Sequence, residues 1–380
     1  MLHILSDLDH MIKTTEHIIM ERTKNGCRKK TFFTDSIKLY TTHSKPVPGI
    51  ITLILPGLLP ALLFNGCMTD EMESPHDPTL QTTEIEVKST SSESIGHTDI
   101  FTFDDDILMR LDSYQRVDEI NGDHIEVRSQ NGNKLIFVCS NICKDKYDWA
   151  EINSFQSISQ IQAELSEERR RQPVMTGAGK AVAGSATPCV ITLKPIVSEI
   201  YLRSLKCDFS GTSYEDEVIR NPAVYLTNVN ARCGITAEGE IRPSHIINAG
   251  GLVQTDISCF SEPDIIYRKL GSPIGRTSDN AGISLLCYPN TSSEEGPGTP
   301  FTRLVIEGEI EGSTYWWPID INRNESTATP GIRRNCSYVY DIIIKRKGSD
   351  GPESPIDIKR IDVEMEVLSW KEKEEYSVGF

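Results

Sequence analysis

The side chains able to do chemistry are few and scattered. Ten cysteines stand along the chain: Cys27, Cys67, Cys139, Cys143, Cys189, Cys207, Cys233, Cys259, Cys287 and Cys336. None forms a C-x-x-C pair, and beyond residue 124 the only histidine is His245. A metal site gathers several such ligands, so this spacing predicts none. A serine or cysteine nucleophile needs a base, and neither G-x-S-x-G nor H-E-x-x-H occurs. "TGAGKAVAGS" (176–185) has glycines, a lysine and a serine, but Ala181 follows Lys180 and the glycine spacing is not that of a phosphate-binding loop. It reads as a Gly-rich turn between strands. The acidic run Asp104, Asp105, Asp106 suits a paired-carboxylate glycosidase and a solvated loop alike. Two features remain. Cys67 closes an apolar run and offers a thiol for acylation, and Tyr315, Trp316 and Trp317 offer rings that stack on sugars. The expectation is no catalytic residue, no metal and no cofactor.

Composition narrows the class. The 380 residues suffice for two domains. Hydrophobic residues are 38% and charged residues 25%, as in soluble globular chains. The net charge is −16, and residues 67–380 carry 31 basic and 50 acidic side chains, a net of −19. Such a surface repels phosphate backbones, which argues against nucleic acid as a partner. Several cysteines lie in apolar, strand-like runs, such as Cys139 in "LIFVCS" and Cys287 in "ISLLCYPN". They read as small buried hydrophobes. Disulfides stay open for an exported chain, and their pairing is not readable from sequence.

From Ile50 to Phe64 the chain reads "IITLILPGLLPALLF", without charge. That is short for a membrane span, and Pro56, Gly57 and Pro60 weaken a buried helix. The length suits a signal-peptide core, with Lys45 before it and Gly66 just ahead of Cys67. The stretch resembles a bacterial lipobox, although Phe64 and Asn65 depart from the usual choices. That resemblance implies that Cys67 is lipidated and begins the mature protein. The acidic Asp70, Glu71 and Glu73 then resemble a signal for export to the cell exterior. Residues 1–66 are therefore expected to be an N-terminal extension and lipoprotein signal peptide, outside the fold.

Residues 67–79 are polar, with two prolines, and read as a flexible tether. In "TTEIEVKS", Ile85 and Val87 alternate with charges, as in a half-buried strand. Two β-rich runs flank Asn131-Gly132, the pair that type I′ hairpin turns demand. Asp148 and Glu151 then suit the start of a helix. Trp149, Ile152, Phe155, Ile158, Ile161 and Leu165 form one helical stripe. It closes at Arg169, Arg170, Arg171 and Pro173, where the three arginines read as a solvated helix end or an exposed protease target. Beyond, short apolar runs separated by turn residues predict a β-sandwich. Tyr338, Tyr340, Ile342 and Ile344 share one face, as do Ile361, Val363, Met365 and Val367. The fold expected is all-β with one helix in the first domain: one sandwich over 80–172 and a second over 173–380.

Taken in order, these segments resemble the fimbrillin family, the pilins and pilus-accessory lipoproteins of Bacteroidales. The likeness runs from Cys67 to Phe380. It rests on the lipobox-like cysteine, "IFTFDDD", "NKLIFVCSN" closing with Asn141, a helix, and "QPVMTG" (172–177). It continues through "ITLKPIVSEIYL", an Arg-Asn-x-x-Tyr element in "RNCSYVYDIIIKRKG", and "VEMEVLSWKEKEEYSVGF". The middle of the second domain matches less closely. The resemblance implies two tandem transthyretin-like sandwiches on an outer-membrane, cell-surface lipoprotein. Its partners would be other pilus subunits and the membrane that holds its lipid. Assembly would proceed by strand exchange: a protease trims the first strand, and a C-terminal strand of another subunit completes the sheet.

One departure matters. Stalk pilins of this family are cut after an arginine, and between Cys67 and Arg110 this chain has none; its single cation there is Lys88. Lys88 follows the expected first strand, Thr82–Val87. An arginine-specific protease would leave the chain uncut, as an anchor or accessory subunit. A broader protease would cut at Lys88 and make it a stalk subunit. The expected donor is "EEYSVGF", where Tyr376, Val378 and Phe380 alternate. The alternative is a surface glycan-binding lipoprotein using Tyr315, Trp316 or Trp317.

Overall fold

The computed structural model describes residues 80–90, 94–118, 124–143, 146–277, 282–323, 329–354 and 361–370. Cys67 and the alternating Tyr376, Val378 and Phe380 lie outside the described residues.

Period-two patterning builds the first sheet. Its strands are β1 (Gln81–Ser89), β2 (Thr98–Asp104), β3 (Leu111–Val117), β4 (His124–Ser129), β5 (Asn133–Ser140), β7 (Met175–Val182) and β8 (Cys189–Pro195). They run in the order β3-β2-β5-β7-β8-β1-β4. Asn131-Gly132 does turn the chain between β4 and β5, with Gly132 at φ 124°, but not as the expected hairpin: β4 pairs with β1, and β5 pairs with β2 and β7, so the turn carries the chain from one half of the sheet to the other. β7 and β8 pair only through Met175–Pro195 and Thr176–Lys194. Past those two rungs β7 follows β5 and β8 follows β1, so the sheet folds over on itself. Ile100, Ile136, Val138 and Met175 on one side then meet Ile85, Val87, Ile125, Val127, Ile191 and Leu193 on the other. The segment expected to be a Gly-rich turn (176–185) is thus strand β7 as far as Val182, and only its end, with Gly184 at φ 74°, turns toward β8. Its glycines answer to close approach: a Cβ on Gly179 would lie 2.7 Å from the Cys189 sulfur, and one on Gly177 would lie 2.5 Å from the Thr192 carbonyl oxygen.

β2 and β5 bury both faces, which explains their unbroken apolar runs. Phe101, Phe103 and Phe137 point outward from the sandwich core, where Trp149 and Phe155 cover them. Ring centroids are 5.3 Å apart for Phe101–Trp149, 5.6 Å for Phe103–Phe155 and 6.0 Å for Phe137–Phe155. The cover is not the single helix expected over 148–165. It is a 3₁₀ turn (Trp149–Glu151), one α-helical turn (Phe155–Ile158), a short strand β6 (Gln162–Glu164) and a second 3₁₀ turn (Leu165–Glu167). The stripe was right about burial and wrong about continuity. Ser154 and Ser157 close a capping box on a single turn. Serine and asparagine favour such local bonds over a continued helix. β6 is then drawn off to pair with β12 (Arg232–Gly234).

Among the described residues beyond β8, two four-stranded sheets and a small pair form. One sheet is β14 (Tyr267–Lys269), β10 (Arg220–Thr227), β16 (Arg303–Ile310) and β17 (Ser313–Asp320), in that order. The other is β15 (Ile283–Cys287), β9 (Ser198–Cys207), β18 (Cys336–Ile344) and β19 (Ile361–Ser369). β11 (Val229–Asn230) pairs with β13 (Ile246–Ile247). The all-β expectation holds. Tyr338, Tyr340, Ile342 and Ile344 are buried together. On the edge strand β19, Ile361 is buried, Val363 and Met365 half-buried, and Val367 exposed. One apolar cluster runs from Phe101 and Trp149 through Leu165 to Ile200, Tyr338 and Trp317.

Phe101 is fully buried inside this aromatic cover. Phe101→Ala is expected to lower the unfolding free energy by about 3–5 kcal/mol. Val190→Ala, at an exposed position on β8, should stay within about 0.5 kcal/mol. Urea titrations followed by tryptophan fluorescence measure both.

Candidate functional site

Strand β1 occupies the middle of its half-sheet. It pairs antiparallel with β4 from Gln81–Ser129 to Glu86–His124. It pairs parallel with β8 from Ile85–Cys189 to Ser89–Leu193. Thr83, Ile85 and Val87 are buried, and the Thr83 hydroxyl accepts a hydrogen bond from the Gly184 amide at 3.1 Å. Glu84, Glu86 and Lys88 face outward. Burying Ile85 and Val87 contributes roughly 1.5–3 kcal/mol each. Without β1, β4 and β8 would face each other across a strand-wide slot with unpaired edges, a template for another strand. Lys88, expected just after the strand, lies inside it opposite Thr192. Pairing with β8 carries β1 past Val87, which the alternation alone did not show. Its ammonium lies 2.9 Å from Glu86, and its side chain is 51% exposed. Beyond Glu86 the strand is paired on the β8 side alone.

Where β1 leaves the slot, the motifs quoted above converge. The Thr90 amide donates to the Leu193 carbonyl at 3.1 Å, and its hydroxyl donates to Asn335 Oδ1 at 3.3 Å. The Asn335 amide donates to the Val197 carbonyl at 2.9 Å, between β8 and β9. Its carbonyl accepts from the Trp370 amide at 3.3 Å, at the end of β19. Asn335 holds φ at 58°, a region that asparagine tolerates better than most residues. Arg334 donates to the Thr176 hydroxyl at 2.7 Å, and the Tyr338 hydroxyl accepts from the Arg333 amide at 2.9 Å. Arg334, Asn335 and Tyr338 are the Arg-Asn-x-x-Tyr element, and Thr176 belongs to "QPVMTG". Asn141, also left-handed at φ 66°, ties the same region. Its side chain accepts from Gly96 at 2.7 Å and donates to the Pro173 carbonyl at 2.9 Å. Sequence reading noticed these motifs but gave Asn335 and Thr90 no role. The signal available was the left-handed preference of asparagine between two charged or polar runs.

The other candidates are placed plainly. Trp317 is fully buried and donates through its indole to the Arg346 carbonyl at 3.0 Å. Trp316, on the opposite face and half-buried, donates to Glu307 at 2.9 Å. Tyr315, also half-buried, lies under the Lys347 ammonium, 5.6 Å from the ring centroid. The three rings do not form one exposed platform. Of the acidic run, Asp104 pairs with Lys134 at 2.6 Å and Asp105 with Lys180 at 2.9 Å. Asp106 accepts from the Leu108 and Met109 amides. Arg170, from the arginine triplet, donates to the Asp264 carbonyl at 2.8 Å rather than standing free. The eight described cysteines are unpaired, five of them buried. No group of three or more His, Cys, Asp or Glu among the described residues is arranged to hold a metal ion.

One carboxyl is strongly perturbed. Glu168 is buried, accepts from the Val174 amide at 2.9 Å and from the Tyr288 hydroxyl at 2.8 Å. Burial pushes it up to about 7, and these two donors only partly offset that. The folded chain therefore holds a proton that the unfolded chain has already released. Glu168 should cost stability as pH rises from its unfolded value, 4.5, through about 7, and nothing at lower pH. Thermal unfolding of Glu168→Gln between pH 5 and 8 should show a shallower decline than that of the unsubstituted chain. Equal slopes would remove Glu168 from the pH response.

By sequence, no protein-family model and no curated protein matches the chain. Solved structures do share its fold. A fimbrilin from Porphyromonas gingivalis W83, FimA, is 14% identical with a TM-score of 0.56, over 76% of this chain and 97% of that one. The tip fimbrial protein Mfa3 from Porphyromonas gingivalis, with C-terminal truncation, is 12% identical with a TM-score of 0.52, over 77% and 100%. A candidate cell adhesion protein from Parabacteroides distasonis is 15% identical with a TM-score of 0.56, over 76% and 96%. The expected likeness to fimbrillins holds as a shared fold.

Proposed function

We propose that this chain is a non-catalytic subunit of a cell-surface fibre, exported as a lipoprotein through Cys67 and joined to other fimbrial subunits by strand exchange. The observation that carries this reading is the position of β1. It is the first strand of the sheet, yet it lies between two strands that do not pair with each other. An N-terminal strand can leave such a position without cutting the sheet elsewhere, and a strand from another subunit can take its main-chain bonds. The shared fold with a fimbrilin and a tip fimbrial protein supports the same reading. Two domains are proposed, but with the boundary moved from the expected 172/173 to the link between Pro195 and Ser198, because β7 and β8 hydrogen-bond into the first sheet. The pairing of Lys88 within β1 favours an uncut, lipid-anchored accessory or anchor subunit. A protease reaches an extended, unpaired chain, and here the β8 side must open first.

N-terminal mass spectrometry of the protein from cell envelopes tests this. An acylated Cys67 is the expected mature terminus. A mature start at Ser89 would instead make the chain a processed stalk subunit, and Lys88→Gln should then abolish it. Unprocessed Met1 on the surface protein would overturn the lipoprotein assignment. Deleting 374–380 should remove the subunit from fibres, with the monomer still folded by circular dichroism.

A further inference from the structure

A lysine and two aspartates meet on the inward side of the first sandwich. On the alternation of β5, Lys134 shares that side with Ile136 and Val138, and on β2 Asp104 shares it with Ile100. The Lys134 ammonium lies 2.6 Å from Asp104 Oδ1 and 2.7 Å from Asp112 Oδ2. Its side chain is 2% exposed and that of Asp112 4%. Asp112 reaches this position through a β-bulge. On β3, Leu111 stands opposite Phe103 and Ser113 opposite Thr102, so Asp112 is the extra residue, without a partner in register. A bulge re-aims a side chain, and here it brings a carboxyl against a buried ammonium. The Gln130 amide donates to Asp112 Oδ2 at 2.8 Å and holds that carboxyl in place. From this geometry we infer that Lys134 and Asp112 condense into an amide within the folded chain, with Asp104 carrying the proton. The modification is made by the protein on itself and is independent of the strand-exchange and lipoprotein readings.

The ion pair and the amide differ by one water and by no net charge. Burial works against the Lys134 charge, but Asp104 and Asp112 outweigh it and keep the ammonium protonated. The starting state is therefore a buried ion pair, with a desolvation cost that apolar residues in its place would not carry. Condensation removes both charges of that pair. One proton of the ammonium passes to the Asp112 carboxyl across their contact. The freed lone pair forms the Nζ–Cγ bond. Asp104 takes a second proton from the nitrogen and returns it to the hydroxyl on Cγ, the C–O bond breaks, and water leaves. Of the three protons on the nitrogen, one stays on the amide and two leave in the water, and no further reactant enters. A held contact replaces a bimolecular encounter, and burial keeps solvent from hydrolysing the product. Among the described residues, β3 is the end strand of its sheet and pairs with β2 alone. The amide ties it across β2 to β5.

Mass spectrometry of the purified full chain tests this. The intact mass is expected to be one water lighter than the sequence from its observed N-terminus requires, and a tryptic digest should yield a branched peptide joining Asp112 to Lys134. Asp104→Asn, with near-UV circular dichroism confirming the fold, should leave those two peptides separate. Asp112→Asn keeps the shape of the acceptor and is expected to form the same link with loss of ammonia in place of water. The full mass, with Lys134 of the denatured chain open to acetylation, would overturn the inference. So would a loss of water mapped to any other pair of residues, or a loss of water rather than ammonia from Asp112→Asn. A link that forms equally in Asp104→Asn would overturn the role of Asp104 as the proton carrier.

Discussion

Main-chain pairing along β1 is the constraint around which the first sandwich is arranged. β4 and β8 each spend one edge on β1 and none on each other. The interior of the sandwich is correspondingly small, and Ile85 and Val87 are two of its central members. A buried backbone amide or carbonyl without a partner is costly, so a strand of some origin must lie there. The side chains outside, Glu84, Glu86 and Lys88, add only exposed ion pairs, which contribute little. Identity along the slot is thus set by three inward positions and a length, which many alternating segments satisfy.

The region beneath the slot behaves differently. Asn335 with Thr90, Arg334 with Thr176, Asn141 with Pro173 and Glu168 with Tyr288 make directed hydrogen bonds between segments far apart in sequence. Such bonds fix a geometry in a way that apolar contact does not. Burial lowers the Arg334 guanidinium and raises Glu168, yet each is still served by specific partners.

The fold was legible where period-two alternation faced one core. β1 and β18 follow the pattern read from the residues, whereas β4 and β5, on either side of Asn131-Gly132, pair not with each other but with β1 and with β2 and β7. The failures share a cause. The stripe from Trp149 to Leu165 has helical spacing, but its apolar side chains are buried through turns that Ser154 and Ser157 cap early. "TGAGKAVAGS" looked like a turn because glycine has no side chain to reveal alternation. Gly177 and Gly179 are instead the residues over which β8 crosses. In both cases the deciding partner was distant in sequence, and propensity is a local quantity.

Alone, the sequence determined that this chain is β-rich, acidic, poor in histidine and marked by an apolar run ending at Cys67. Those properties follow from composition and short-range pattern, which need no partner. Only the tertiary structure decided that Lys88 lies inside a paired strand, that Trp317 is in the core, and that Thr90 and Trp370 meet at Asn335. Each depends on which distant segments lie side by side. Hydrogen-bond register and burial are properties of pairs, and a single line of residues does not carry them.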